Sequence, residues 1–281
     1  MQDHGLFGPE SVAWKVAKEA VLNIGGARAV LMQLAHPLVA AGVSTHSSYM
    51  RDPIGRALRT FTLGQMLTFG SLTTVRQASR FINRLHTHVH GTLPTAAGMY
   101  AEHTPYKARD PELLLWVYAT LIDTTLLIYP MFVGPFPPEE QEQYYQESKV
   151  LAPFLGLRAE HMPKTVEDLR RYVQDMVYSD RLAATPQARR LVQQVLFPPI
   201  PSVFRPFLHL HLQITCALLP QPVRDIYGLE WGPKRQRVFE ISTIGLRTII
   251  SHLPESLRVI PITHRMMEQG VIPFSWLAHP S

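Results

Sequence analysis

Apolar residues recur along this chain at three- and four-residue intervals, the period of one helical face. Two helices are predicted over residues 11–24 and 27–42, broken near Gly25-Gly26. The second kinks or ends at His36-Pro37, because proline has no N–H to give the helix. A third spans 54–69 and ends at Gly70. Ser71 then caps a fourth, which runs through about His90 and stops at Gly91. Asp110-Pro111-Glu112 combines an N-cap, a first-turn proline and an acidic residue at the positive end of the helix dipole. That helix is predicted to reach about Tyr129. Pro137-Pro138-Glu139-Glu140 opens the next, Thr165 and Asp168 form a capping box before Leu169–Tyr178, and Thr185-Pro186 starts another. Phe197 to Pro206 reads as a proline-rich turn, followed by helices near 203–219, 231–251 and 254–259. No alternating strand set and no internal repeat interrupts this pattern. No Ser/Gly-rich or charge-rich linker divides the chain, so one all-α domain over residues 1–281 is expected, large enough to enclose an apolar ligand cavity.

Composition sharpens that reading. Hydrophobic residues are 46% and charged residues 17%, below the usual quarter, which implies much buried surface or apolar surface facing a ligand, membrane or partner. The net charge of +5 comes from scattered residues, and the one cluster, Lys234-Arg235-Gln236-Arg237, is too short for a nucleic-acid footprint. The single cysteine, Cys216, lies in an apolar run and reads as a buried, inert thiol. The N-terminus lacks a signal-peptide pattern, so a cytoplasmic protein is expected, with peripheral membrane contact a compatible way of collecting an apolar substrate. Leu113 to Phe136 approaches membrane-spanning length, but Asp123 near its centre favours a core helix.

Candidate chemistry falls in two places. Arg56, Arg59 and Thr60, at i, i+3 and i+4, share a helical face and form either a surface salt-bridge face or an anion clamp. On the predicted helix through His90, Asn83, His86 and His90 also share a face. Spacing alone leaves three roles open for the histidines: half-buried polar residues, a non-haem metal pair at His86 and His90, or a single haem-iron ligand. Arg76, Arg80 and Arg84 form a separate, solvated stripe, and Asp123 is expected to be paired or to support a histidine. No nucleophile elbow, P-loop or dinucleotide fingerprint is present.

Several segments, in order, carry a family likeness. They are Leu31-Met32-Gln33-Leu34-Ala35-His36-Pro37-Leu38-Val39-Ala40-Ala41-Gly42-Val43 with His46-Ser47, Asp52-Pro53-x-x-Arg56-x-x-Arg59-Thr60, and His86-x-x-Val89-x-Gly91. Tyr106-x-Ala108-x-Asp110-Pro111-Glu112, Val133-Gly134-Pro135 and Leu218-Leu219-Pro220-x-x-x-Arg224 follow. The chain thereby resembles the MpaB-type oxygenases and latex clearing proteins. The resemblance implies an all-helical fold around haem b, with His86 as the proximal iron ligand and O2 and an apolar, unsaturated small molecule as substrates. It assigns Asn83, His90 and Arg56 to cofactor binding and Arg59 and Thr60 to catalysis. Where latex clearing proteins carry two arginines this chain has Asn83 and His90, and where they carry an iron-ligating lysine it has Arg59. A guanidinium stays protonated, so a vacant or water-bound sixth position is expected. A non-catalytic haem- or lipid-binding protein of the same fold is the alternative from another class.

Overall fold

The computed structural model describes residues 3–47, 52–199, 201, 203 and 205–270. Their regular structure is helical apart from one small two-stranded ladder, as the periodicity predicts. The first half comprises α1 (Val12–Ala17), a 3-10 segment (Ala20–Gly25), α2 (Gly26–Leu34), α3 (Pro37–His46), α4 (Pro53–Phe69) and α5 (Leu72–His88). Strands β1 (His90–Thr92) and β2 (Pro105–Lys107) then pair antiparallel, with Gly91 opposite Tyr106. The second half holds α6 (Pro111–Phe132), α7 (Pro138–Lys149), α8 (Val166–Val177), α9 (Pro186–Leu196) and α10 (Arg205–Leu218). It ends with α11 (Gln221–Tyr227), α12 (Pro233–His252), α13 (Glu255–Arg258) and α14 (Pro261–Gln269).

Helix α6 forms the axis of the core. The Asp110 side chain accepts from Glu112 N at 2.9 Å and Pro111 fills the first turn, so this helix starts where its local chemistry predicts. Trp116, Ala119, Ile128 and Phe132 are fully buried along it, each large one contributing about 1.5–3 kcal/mol of apolar burial. Helix α2 packs across α6 through Leu31 and Met32, and Trp116 Nε1 donates to the Met32 carbonyl at 3.2 Å. Gly25 permits the close approach, because a Cβ there would collide with Ile128 and Thr124. Helix α6 is long and apolar enough to cross a membrane, with mean hydropathy 1.5, yet most of it is enclosed by the protein's own helices. Its Asp123 is paired as expected: Arg28 Nη2 of α2 donates to Asp123 Oδ2 at 2.7 Å. The same guanidinium donates to Thr124 Oγ1 and, through Nε, to the Leu218 carbonyl of α10 at 2.8 Å.

One predicted break forms and two boundaries are corrected. The 27–42 stretch breaks at His36-Pro37 as predicted, giving α2 and α3, with a bend of 107° between the segment starting at Ala20 and α3. Pro37 forces His36 out of the helical region, to φ −82° and ψ 117°, and then occupies the first turn of α3. The fourth helix stops at His88, not His90, since Val89 turns extended and His90 joins the hairpin. The predicted 11–24 helix is likewise divided into α1 and the 3-10 segment. The capping box of α8 and the Thr185 cap of α9 form as predicted, whereas α11 and α14 have no counterpart in the periodicity reading. Part of the Phe197–Pro206 turn lies outside the described residues.

Removing the carboxylate from the α2–α6 pair leaves a guanidinium buried without its counter-charge. Asp123→Ala is therefore expected to lower stability by about 3–5 kcal/mol. Arg28→Met with Asp123→Leu recovers most of that loss, as denaturant unfolding of the three proteins would show.

Candidate functional site

The bend at Pro37 carries α3 away from α2 and opens a mostly apolar cavity of about 560 Å³ between α3, α4, the end of α5 and the start of α6. That volume lies within the roughly 300–1,000 Å³ of small-molecule and cofactor sites. Leu38, Val39, Val43, Leu113 and Val117 supply its apolar walls. Arg56, Arg59, Thr60 and Leu63 of α4 face it from one side. Phe81, Leu85, His86 and His88 face it from α5, and Tyr106 from the hairpin.

The structure brings His86, Arg56, Arg59 and Thr60 to this one cavity. The His86 ring is half-buried, its Nδ1 is shielded from solvent, and no described residue hydrogen-bonds it. Burial, reinforced by the Arg109 charge, lowers its pKa and keeps the imidazole neutral near pH 7. Arg56 Nε donates to Ser47 Oγ at 2.9 Å and its Nη1 to Thr60 Oγ1 at 3.2 Å. The Thr60 hydroxyl in turn donates to the Arg56 carbonyl at 3.0 Å. Arg59 pairs with Asp52 at 3.0 Å, a carboxylate whose pKa is lowered by the Gly55 N–H and then by Arg59. Asp52 is also the N-cap of α4, so one side chain fixes both the helix start and an arginine.

Two predicted residues sit elsewhere. His90 is exposed on β1, its carbonyl 3.0 Å from His46 Nε2, and does not align with His86. The i, i+4 argument fails because the helix has ended before His90 is reached. Asn83 is turned to the other flank of α5, where Nδ2 donates to the Ser79 and Phe154 carbonyls at 2.9 and 2.8 Å. It fastens α5 to the 3-10 turn Ala152–Leu155 rather than facing the cavity. The non-haem pair of His86 and His90 is thus not assembled. Among the described residues no three His, Cys, Asp or Glu side chains are grouped as a metal site.

Residue-by-residue reading missed Tyr106, His46 and Gln33 as cavity residues. Tyr106 is buried, and its ring crosses under the hairpin so closely that a Cβ on Gly91 would stand 2.8 Å from its hydroxyl oxygen. Glycine at 91 is a packing requirement set by this cross-strand partner. A second buried imidazole lies at the α2–α3 bend: His36, whose Nε2 is 3.1 Å from the Tyr100 hydroxyl and whose Nδ1 has no partner. Burial, then the Arg181 charge, lowers its pKa to about 4, against a smaller opposing effect of Asp110.

A helical fold wrapped around an apolar cavity, with a neutral histidine and two arginines on its polar side, defines a cofactor- or small-molecule-binding helical domain. Residues 14–248 match the family described as ER-bound oxygenase mpaB/B′/rubber oxygenase, catalytic domain, and the chain belongs to that family of oxygenases. It is also similar to an uncharacterized protein of Mycobacterium bovis and one of Mycobacterium tuberculosis. Each is 27% identical over 218 residues, covering 75% of this chain and 82% of the relative. No solved structure matches the chain.

Two outcomes follow from the buried groups. Both imidazoles have pKa values below the ordinary 6.5, so the unfolded chain binds more protons than the native one beneath that pH. Their stabilising effect is complete well above pH 6.5 and is lost as pH falls below it, for His36 as pH falls toward 4; unfolding titrations at several pH values should show His36→Gln flattening that fall. Gly91→Ala should destabilise by about 1–3 kcal/mol through overpacking. Adding Tyr106→Phe, which removes the nearest atom, should recover part of the loss in thermal unfolding.

Proposed function

We propose that this chain is a haem b-dependent oxygenase acting on an apolar, unsaturated small molecule, with His86 as the proximal iron ligand. The observation that carries this reading is the His86 imidazole, kept neutral by burial, with a shielded nitrogen lacking a partner in a mostly apolar cavity. A neutral imidazole is the protonation state that ligates iron, and an unsatisfied buried nitrogen is costly unless something pairs with it. The residues present fit the group. His86 would hold the iron through its imidazole, Arg56 would pair with a carboxylate at the haem's edge, and the apolar walls would face the ring. Haem, when bound, supplies O2 activation at its iron.

The chain's own side chains supply the rest. Leu38, Val39, Val43, Leu113 and Val117 exclude water and hold an apolar substrate. Arg59 and Thr60 provide the donors at the polar end, Arg59 held in place by Asp52 and Thr60 by its bonds with Arg56. Arg59 would not compete with His86 for iron, because a guanidinium stays protonated at neutral pH. Asn83 and His90, both outside the cavity walls, have no direct part in this reading.

Reconstitution with haem should give a Soret band, and carbon monoxide or imidazole should bind without displacing a protein ligand. His86→Ala should abolish haem retention while His90→Ala largely preserves it. An unchanged spectrum with full haem content in His86→Ala would refute the assignment. Consumption of O2 with an isoprenoid substrate separates an oxygenase from a haem carrier.

A further inference from the structure

Helix α4 has two dissimilar faces. Arg56, Arg59 and Leu63 turn toward the cavity. Ile54, Ala57, Leu58 and Phe61 follow one another at the spacing of a core-facing stripe, yet Ile54 and Leu58 are 43% and 60% exposed. On α5, Leu85 is 50% exposed and also lines the cavity, so the cavity reaches the surface beside an apolar side chain. This apolar surface lies on the two helices that bear the arginines and His86.

The charge of the same segment is one-sided. From Pro53 through Ala101 there are five arginines and no aspartate or glutamate. Arg59 is paired with Asp52 from just outside the segment. Arg76, Arg80 and Arg84 stand one turn apart on the exposed side of α5, with no ion pair among the described residues. Exposed apolar residues and unneutralised cations on one helical hairpin are the chemistry of a surface that lies on anionic lipid, where the apolar groups enter the interface and the cations meet headgroups.

We propose that the α4–α5 hairpin docks on an anionic membrane surface and draws the apolar substrate from the bilayer into the cavity. The substrate part rests on the oxygenase reading; the docking part rests on the surface alone. Helix α12 also exposes Ile241 and Ile244, but it contributes nothing to the cavity wall and serves as the control surface.

The test is co-sedimentation of the full chain, with and without added haem, with phosphatidylglycerol–phosphatidylcholine vesicles and with pure phosphatidylcholine vesicles. Binding to the mixed vesicles, at least about tenfold weaker to the neutral ones and weakened by salt, is expected. Arg80→Gln with Arg84→Gln should lower partitioning about 25-fold, since each cation near such a surface contributes roughly fivefold. Leu58→Asp should weaken it about tenfold or more, and Ile241→Asp should leave it unchanged, each with unaltered circular dichroism and unfolding. Three outcomes overturn the proposal: no binding to mixed vesicles, equal binding to neutral ones, or loss through Ile241→Asp with retention in Leu58→Asp. A dimer in analytical ultracentrifugation that Leu58→Asp dissolves, without vesicle binding, assigns the face to a second copy and overturns it too. His86→Ala should retain vesicle binding, so failure of haem to bind counts against the oxygenase reading alone.

Discussion

The guanidinium of Arg28 ties together the three helices around which the rest is arranged. It satisfies a carboxylate and a hydroxyl on α6 and a carbonyl at the end of α10, while its own helix, α2, packs along α6. Without it, the most apolar helix of the chain would carry an unpaired carboxylate near its middle. With it, α6 can be an interior helix, and its enclosure by α2, α8 and α12 follows. The position of α2 then decides where the chain must turn at Pro37, and that turn sets α3 as the far wall of the cavity.

The cavity inherits an asymmetry from this arrangement. Its α3 and α6 sides come from segments packed on the core and are apolar apart from His46. Its α4 and α5 sides belong to a hairpin of helices outside the main core cluster, free to carry arginines and histidines. The charged side chains are thereby concentrated on the α4 side of a mostly apolar space, with Gln33, His46 and Tyr106 adding neutral polar groups elsewhere, which suits a ligand with a large apolar body and a charged edge. The Asp52–Arg59 pair ties one of those arginines to the N-cap of its own helix.

Much of the fold was legible because helix starts are local events. Asp110 with Pro111, Thr165 with Asp168, and Ser71 each act within four residues of themselves, and each caps a helix as read. Asp123 was legible as a paired carboxylate, but its partner was not, since Arg28 lies 95 residues away and its own neighbourhood gives no sign of a role. The clustering of Arg56, Arg59, Thr60 and His86 was legible through family resemblance and local spacing. The separation of His90 was not, because a single extended residue, Val89, ends the helical register and is stabilised by pairing with a strand fifteen residues on. Asn83 was misjudged for a related reason: its flank of α5 faces a carbonyl in the 3-10 turn, a contact that local periodicity does not show.

The excursion between β1 and β2 links the imidazoles of His36 and His86. His86 lies just before it, and Tyr100 within it holds His36 at the α2–α3 bend. Its ends are closed by the bonds between Leu93 and Thr104 and between His103 and Leu93. The segment therefore behaves as a spacer of fixed length between two corners of the molecule. It is a poor place to graft a tag or fluorophore, because lengthening it would disturb the bend and the cavity together.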